Sequence, residues 1–183
     1  MAVEVEEWDQ WRASSRALET MRHIALDALA FADNDEAFYT YAAEHQLTVN
    51  EVVYYLNGYE YGGDAGLEAI RNPNIIPPEV ARQAIKTVAR LLDEHYQGQL
   101  PYRLTDEGTA VGLYEIQERR NGDKFLFPIC QFRLTLASQQ WHLYWMRKFD
   151  AWWPYPPPRR GSRYTIQART RQVLEDEDGC FWG

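Results

Sequence analysis

The hydrophobic pattern of this chain of 183 residues changes its period once, near Gln97–Pro101. Before that segment, apolar residues recur every three to four positions, as they do on one face of a helix. After it, they tend to alternate with polar residues, as they do on one face of a strand. The pattern predicts an α+β fold, in which a bundle of helices precedes an antiparallel sheet of about four to five strands and a C-terminal helix.

Five helices are predicted in the first half, at about Glu6–Phe31, Asp35–His45, Thr48–Asn57, Gly62–Ile70 and Pro77–Tyr96. Short polar residues or prolines stand where several of these segments begin, and such residues favour helix starts. Thr48 is followed three positions later by Glu51, which is the spacing of a capping box.

The second half predicts strands at about Ala110–Gln117, Phe125–Leu136, His142–Arg147 and Ala151–Tyr155, and a last helix at about Tyr164–Leu174. An Asn-Gly pair at 121–122 is a strong hairpin signal, because both residues tolerate positive φ.

Pro128 interrupts the second predicted strand. Proline cannot donate a hydrogen bond to a β-ladder, so its place inside a strand predicts an edge position or a β-bulge.

Charge divides the chain near the same point as the hydrophobic period. Residues 1–100 contain 7 Lys or Arg and 17 Asp or Glu, a net charge of −10, whereas residues 101–183 contain 12 and 10, a net charge of +2. Period and charge together predict an acidic helical domain at 1–98 and an aromatic-rich antiparallel β domain at 99–183. The asymmetry is typical of halves with different partners, and also of halves that attract each other.

Composition excludes several classes of protein. With 45% hydrophobic and 14% aromatic residues, the chain has enough apolar side chains for a packed core. No stretch approaches the roughly 20 apolar residues of a membrane-spanning helix, and the acidic N-terminus is unlike a secretory signal. Cys130 and Cys180 are too few for a disulfide framework, so we predict a cytoplasmic protein with two reduced thiols.

Several motifs in the second half are distinctive. Residues 141–147 read WHLYWMR, residues 152–155 read WWPY, residues 111–115 read VGLYE, and residues 176–183 read DEDGCFWG. Over about residues 102–183 these motifs resemble the family called domain of unknown function 3024. The resemblance implies a small β-sheet domain with a helix, and it implies no activity.

The first half resembles, more weakly, the helix-turn-helix regulators of bacteria. Ala43, Leu47 and Val53 have the spacing of the buried positions of that motif. The segment that would read DNA, Thr48–Asn57, contains no Lys or Arg, whereas sequence-specific readers present basic or amide side chains to bases and phosphates. A plain unit of three packed helices is therefore the favoured interpretation of this segment.

Cationic side chains are concentrated in the second half. Of the 19 Lys and Arg residues, 11 fall between Arg119 and Arg171, and 2 acidic residues, Asp123 and Asp150, lie among them. Aromatic residues are interleaved with these cations, which is the combination found in proteins that bind single-stranded nucleic acid.

One face of the predicted sheet is the candidate binding surface. Trp141 and Trp145 share a face of their strand, so Tyr144 lies on the opposite one, where Phe132 or Phe127 could join it. Aromatic side chains that simply fill a core are the competing interpretation, and the commoner one. The residues predicted to bind nucleic acid or another ligand are Arg133, Tyr144, Arg147, Trp152, Arg159 and Arg160.

No catalytic constellation is recognisable in the sequence. The 4 histidines show no HxxxH spacing, and the cysteines no CxxC spacing, so a zinc site lacks its ligand pattern. Cys130 or Cys180 could pair with His142 as nucleophile and base, although buried structural cysteines are the favoured interpretation. The acidic run Glu175–Asp178 could bind a hard cation, but such runs are more often solvated turns. We therefore predict no catalytic residue, no metal site and no cofactor.

Three functions are compatible with the sequence. A non-enzymatic bacterial binding or adaptor protein, which acts through another protein or through self-association, is the favoured hypothesis. The alternative is a nucleic-acid-binding regulator that uses residues 119–171, and a hydrolase comes third. None of these hypotheses involves a membrane.

Overall fold

The computed structural model describes residues 16–71, 74–157 and 164–182, which belong to two compact units. The helical unit comprises the described residues up to 71 together with Arg147–Trp153. The sheet unit comprises residues 74–146 and the described residues from Pro154 onwards. The predicted start of the first helix, near Glu6, lies outside the described residues.

The helical unit is built from α1 (Leu18–Leu29), α2 (Asp35–Glu44) and α3 (Val49–Arg71). α3 bends sharply at Gly63, whose φ of 54° and ψ of −141° are not helical, so it consists of two helical segments. These segments correspond to the third and fourth helices predicted from the sequence. Leu56 and Leu67, one from each segment, are fully buried in one core with Met21 of α1 and Phe38 of α2.

Two glycines allow the segments of α3 to meet. A Cβ atom built on Gly66 would lie 1.8 Å from the carbonyl oxygen of Gly58, so the two backbones touch at a place where no side chain fits. The predicted capping box at the start of α3 is confirmed: the Glu51 amide donates to Thr48 Oγ1 at 3.1 Å, and the Thr48 amide donates to Glu51 Oε2 at 2.9 Å.

The sheet unit begins with a helix and continues as a meander of strands. Its elements are α4 (Pro78–Tyr96), β1 (Tyr102–Asp106), β2 (Val111–Glu118), β3 (Lys124–Thr135), β4 (Gln140–Met146) and α5 (Ile166–Glu175). The short strand β5 (Trp152–Pro154) completes the sheet, and its first two residues belong to the helical unit. The strands form one sheet in the order β1-β2-β3-β4-β5, and the pairs from β1 to β4 are antiparallel. The predicted α+β layout is confirmed, and β1 is a strand that the sequence analysis did not predict.

The bulge predicted at Pro128 is confirmed. Leu113 of β2 pairs with Cys130, and the next residue, Tyr114, pairs with Pro128, so Ile129 is the extra residue on β3. The register between β3 and β4 starts at Cys130, so Pro128 lies beyond the part of β3 that pairs with β4. The missing N–H of this proline is therefore tolerated in a strand that is central in the sheet order.

The first face of the sheet packs against helices α4 and α5. Leu113, Phe132 and Leu143 are buried there in one core with Val88 of α4 and Val173 of α5. The prediction that Phe132 could lie beside Tyr144 is wrong, because Phe132 pairs with Leu143 and so shares the face of that residue.

The second face of the sheet carries the alternate residues of the same strands. Gly112 pairs there with Gln131, Gln131 pairs with Tyr144, and Arg133 pairs with His142. This face carries polar and charged side chains where the first face is apolar, and it holds the site described below.

α4 shares its core with the strands that follow it, although the sequence analysis assigned it to the helical half. Val88 and Leu92 are fully buried against Val111 and Leu113. The two compact units meet in sequence between residues 73 and 74. The sequence placed the division later, because a change of hydrophobic period marks the end of a helix and does not reveal which core the helix joins. The boundary of independently folding domains at 98/99 stays a prediction.

Candidate functional site

A buried polar network lies on the second face, centred on Glu107. Tyr114 donates its hydroxyl to Glu107 Oε1, Thr105 donates to the same oxygen at 3.1 Å, and Gln131 Nε2 donates to Oε2 at 2.6 Å. Gln131 and Tyr114 are themselves buried. A carboxylate withdrawn from water is costly unless it is hydrogen-bonded, so these three donors are what allows Glu107 to occupy this position.

The fold leaves room for this carboxylate by placing a glycine beneath it. A Cβ atom built on Gly112 would lie 2.0 Å from Glu107 Oε1 and 2.9 Å from Thr105 Oγ1. The backbone of Gly112 is not in the left-handed region, so the constraint at this position is space and not conformation.

The protonation of the network follows from its burial. Burial raises the pKa of Glu107, and the hydrogen bonds from Tyr114, Thr105 and Gln131, together with the positive charge of Arg133, offset only part of that rise. Burial also raises the pKa of Tyr114, and the negative charge of Glu107 raises it further. The phenol therefore remains protonated and acts as a donor.

Glu107 determines the position of Arg133 through one side-chain amide. Because Gln131 directs its Nε2 to Glu107, its Oε1 faces Arg133, which donates to it from Nε at 3.2 Å and from Nη2 at 2.8 Å. The Arg133 guanidinium lies over the ring of Tyr144, 4.1 Å from the ring centroid. The chain of contacts thus runs from a partly buried carboxylate to a partly exposed stack of a cation on an aromatic ring.

The stack continues across strand β4. His142, the register partner of Arg133, lies with its ring 5.5 Å from that of Tyr164, and the Arg169 guanidinium lies 4.5 Å from the Tyr164 ring centroid. Tyr144, Arg133, His142, Tyr164 and Arg169 together form what we call the cation–aromatic row.

Arg169 anchors one end of the row and is only 1% exposed. It donates from Nε to the Trp141 carbonyl oxygen at 2.9 Å and from Nη1 to Gln172 Oε1 at 2.7 Å. Burial lowers the pKa of Arg169. Burial, and next the charge of Arg169, lower the pKa of His142, which favours a neutral imidazole beside this guanidinium.

The structure brings two of the six predicted binding residues together, Arg133 and Tyr144. Arg147 belongs to the helical unit, where its guanidinium lies 5.3 Å from the ring centroid of Trp153. Trp152 is 1% exposed, so its ring belongs to the interior and is not a surface for stacking. Arg159 and Arg160 lie outside the described residues.

Cys130 and His142, one of the two pairs weighed as nucleophile and base, lie on opposite faces of the sheet. Cys130 is buried in the core on the first face, whereas His142 lies on the second. Burial, and to a smaller extent the charge of Glu107, raise the pKa of Cys130, so its thiol stays protonated.

The acidic run at the C-terminus has a structural role at Asp176. Its carboxylate accepts hydrogen bonds from the backbone amides of Cys180, Phe181 and Trp182, at 2.6 to 3.2 Å. Asp178 accepts a hydrogen bond from the Tyr155 hydroxyl at 2.6 Å. In the part of the chain that the structure describes, no group of three or more His, Cys, Asp and Glu side chains is arranged to hold a metal ion.

Most residues of this site were not among the predicted binding residues: Thr105, Glu107, Tyr114, Gln131, His142, Tyr164 and Arg169. A signal for Gln131 was present, because it precedes Arg133 by two positions on a strand whose intervening residues are apolar. Glu107 follows β1, which was not predicted, and nothing in the spacing of α5 distinguishes Arg169 from a surface arginine.

Comparison with known proteins gives one match. The model of the family described as Domain of unknown function (DUF3024) matches residues 76–183, which extends the resemblance noted in the sequence to include α4. No curated protein and no solved structure matches the chain. Among the described residues, no helix is both long and apolar enough to cross a membrane.

Proposed function

We propose that this chain, which belongs to the DUF3024 family of domains of unknown function, is a non-enzymatic binding protein whose ligand binds the second face of the sheet. The observation that carries the proposal is the Arg133–Tyr144 stack, which Gln131 and Glu107 hold in place from behind. A side chain that is ordered before binding loses less conformational entropy when its ligand arrives. Buried polar groups behind a partly exposed cation are a common arrangement at binding sites.

The ligand class that we favour is single-stranded nucleic acid. The cation–aromatic row alternates side chains that attract phosphates with rings on which a base can stack, and Arg133 and Tyr144 supply one of each. Stacking on an aromatic side chain contributes about 1–3 kcal/mol per base, and neutralised phosphates add a salt-dependent term. At the other end of the row the half-buried Tyr164 supplies a second ring, and the buried Arg169 supports it from behind at 4.5 Å from the ring centroid.

An acidic segment of another protein is the competing ligand, and it corresponds to the adaptor role predicted from the sequence. Such a segment supplies carboxylates for the arginines but no base to stack on Tyr144. The two ligand classes therefore differ in how strongly binding depends on that ring.

The test is fluorescence anisotropy of the full chain with single-stranded and duplex oligonucleotides across a series of salt concentrations. Arg133→Gln should lower the dependence of log K on log salt by about one, because one phosphate contact is lost. Tyr144→Ala should weaken binding at every salt concentration, by about 5- to 150-fold, which corresponds to 1–3 kcal/mol of stacking. Arg90→Gln is the matched control, since Arg90 lies on α4, where it pairs with Glu94 at 2.8 Å.

Three outcomes decide between the hypotheses. Single-stranded binding that is lost in both variants and kept in the control supports the proposal. Binding of an acidic peptide that needs Arg133 but not Tyr144 supports the adaptor role. Absence of salt-sensitive binding to either probe at micromolar protein would refute a ligand site on the second face.

Two further properties are proposed from the sequence: a cytoplasmic location in a bacterium, and a helix-turn-helix-like arrangement in the first half. The spacing of Ala43, Leu47 and Val53 and the order of α2 and α3 around the turn at 45–48 support the second. The binding proposal depends on neither of them.

A further inference from the structure

We infer that Arg169 and His142 form an oxyanion subsite at one end of the cation–aromatic row, which takes a phosphate group of the ligand. The inference rests on the proposed binding function and makes it more specific. It assigns a ligand chemistry to two residues that the sequence analysis did not place in a binding site.

The charge of Arg169 is the first observation behind this inference. The side chain is 1% exposed, and each of its contacts within the described ranges is to an uncharged group: the Trp141 carbonyl, the Gln172 amide oxygen and the Tyr164 side chain. Arginines that are buried usually pair with a carboxylate, because withdrawing a cation from water costs several kcal/mol in the absence of a counter-charge. The described part of the fold provides hydrogen-bond acceptors here but no anion.

His142 is the second observation, because it places a hydrogen-bonding imidazole beside the Arg169–Tyr164 pair. It is the register partner of Arg133, and its ring lies 5.5 Å from that of Tyr164. Burial, and next the charge of Arg169, lower the pKa of His142, as expected for an imidazole near a guanidinium. An oxyanion beside them would compensate Arg169 and would accept a hydrogen bond from the imidazole.

A purely structural role does not account for this choice of residue. The bond from Arg169 Nε to the Trp141 carbonyl ties α5 to the start of β4, where the Trp141 amide also donates to the Tyr164 carbonyl at 2.8 Å. A neutral amide side chain could donate to the same carbonyl at a smaller desolvation cost. The stack on Tyr164 offsets part of the cost of burying this charge, and a bound anion would offset the rest.

The experiment follows the titration of His142 by NMR, with and without millimolar inorganic phosphate, in the full chain. A phosphate dianion beside the imidazole should raise the pKa of His142 by about one unit, because an opposite charge within reach favours the charged form. Chloride at the same ionic strength controls for screening. The exposed His95 in the same spectra reports any effect that is not local.

Variants on α5 locate the effect. Arg169→Gln should abolish the response of His142 to phosphate. Arg169→Lys should reduce it, since a lysine keeps the charge but not the planar fork of donors. Arg171→Gln removes a charge from an exposed position on the same helix and should leave the response unchanged.

A wild-type measurement keeps the inference testable if Arg169→Gln fails to fold. Phosphate should then raise the melting temperature of the wild-type protein above its value in matched chloride, because a ligand of the native state stabilises it. An unchanged His142 titration in phosphate, or a response that survives in a folded Arg169→Gln variant, would overturn the inference. If oligonucleotides fail to bind while His142 still responds, the subsite stands and the nucleic-acid proposal fails. If oligonucleotides bind but His142 does not respond to phosphate, the subsite is rejected and the nucleic-acid proposal stands.

Discussion

Replacing Gly112 with alanine should disrupt the network that supports Arg133. The added Cβ atom would lie 2.0 Å from Glu107 Oε1, 2.6 Å from Tyr114 Cε2 and 2.9 Å from Thr105 Oγ1. Real Cβ atoms essentially never approach another heavy atom within 3.0 Å, so the carboxylate must retreat by about 1 Å. The Glu107 side chain cannot retreat that far and keep its three hydrogen bonds.

The expected loss of stability combines two effects. Overpacking by one methyl group typically costs about 1–3 kcal/mol, and weakening a hydrogen bond to a buried charged group costs about 1.5–3 kcal/mol. Partial relaxation of the neighbours should leave a total of about 3 kcal/mol, which lowers Tm by about 6–12 °C in a chain of this size.

Urea unfolding followed by circular dichroism measures the free energy, and a double-mutant cycle identifies the atom responsible. Glu107→Ala removes the carboxylate that the new methyl group would strike. In that background Gly112→Ala should cost about 1 kcal/mol or less, so the coupling free energy should be about 2 kcal/mol.

Two results would contradict the reasoning. If Gly112→Ala costs less than about 0.5 kcal/mol, the range typical of unconstrained surface positions, then the network is not packed as tightly as the distances indicate. If the substitution costs the same with and without the Glu107 carboxylate, then the damage comes from elsewhere in β2.

Three further predictions concern other features. Asp176→Ala should lower the free energy of unfolding by about 2–3 kcal/mol, measured with urea, because three backbone amides lose a charged acceptor. Glu177→Ala, at the exposed neighbouring position, should have little effect. Gly66→Ala should lower the free energy of unfolding by about 3 kcal/mol or more, because its Cβ would overlap the backbone across the bend of α3. Gly62→Ala is the control: a Cβ atom there would have no atom within 4 Å, so stability should change by less than about 1 kcal/mol. The pKa of Glu107 is raised in the folded state, so its contribution to stability is present below the ordinary glutamate pKa and is lost as pH rises through the raised value. The free energy of unfolding of the wild-type protein should therefore fall relative to that of Glu107→Gln as pH rises from the ordinary glutamate pKa through the raised one. Urea unfolding at a series of pH values would measure this difference.

The sequence predicted the elements of this fold better than their packing. Helices, strands and the bulge at Pro128 follow from local rules, because period, capping residues and proline chemistry act over a few positions. β1 was missed because its sequence, YRLTD, has a single aliphatic residue and weak alternation. The partner of α4 could not be predicted, since an amphipathic helix specifies that one face is buried and not against which element.

The candidate site was predicted in part for the same reason. Tyr144 could be placed on the face of its strand opposite Trp141 and Trp145, because alternation along a strand depends only on the parity of position. The contact of Tyr144 with Arg133 also needed the register between β3 and β4, which depends on the turn at 136–139. The burial of Glu107, Gln131 and Arg169 arises from contacts between residues far apart in sequence, and no local pattern reports such contacts.

The helical unit is discontinuous in sequence, because Arg147–Trp153 belongs to it although that segment lies inside the family-matched region. Phe149 of this segment packs on Phe38 and Tyr39 of α2, with ring centroids 5.1 and 5.3 Å apart. A protein truncated to begin at residue 74 would therefore expose Phe149, because the aromatic residues that pack on it are missing, and exposed apolar surface promotes aggregation. Co-expressing residues 1–73 as a separate polypeptide should restore these contacts. We therefore expect the two fragments to complement each other, and the fragment that begins at residue 74 to aggregate when it is expressed alone.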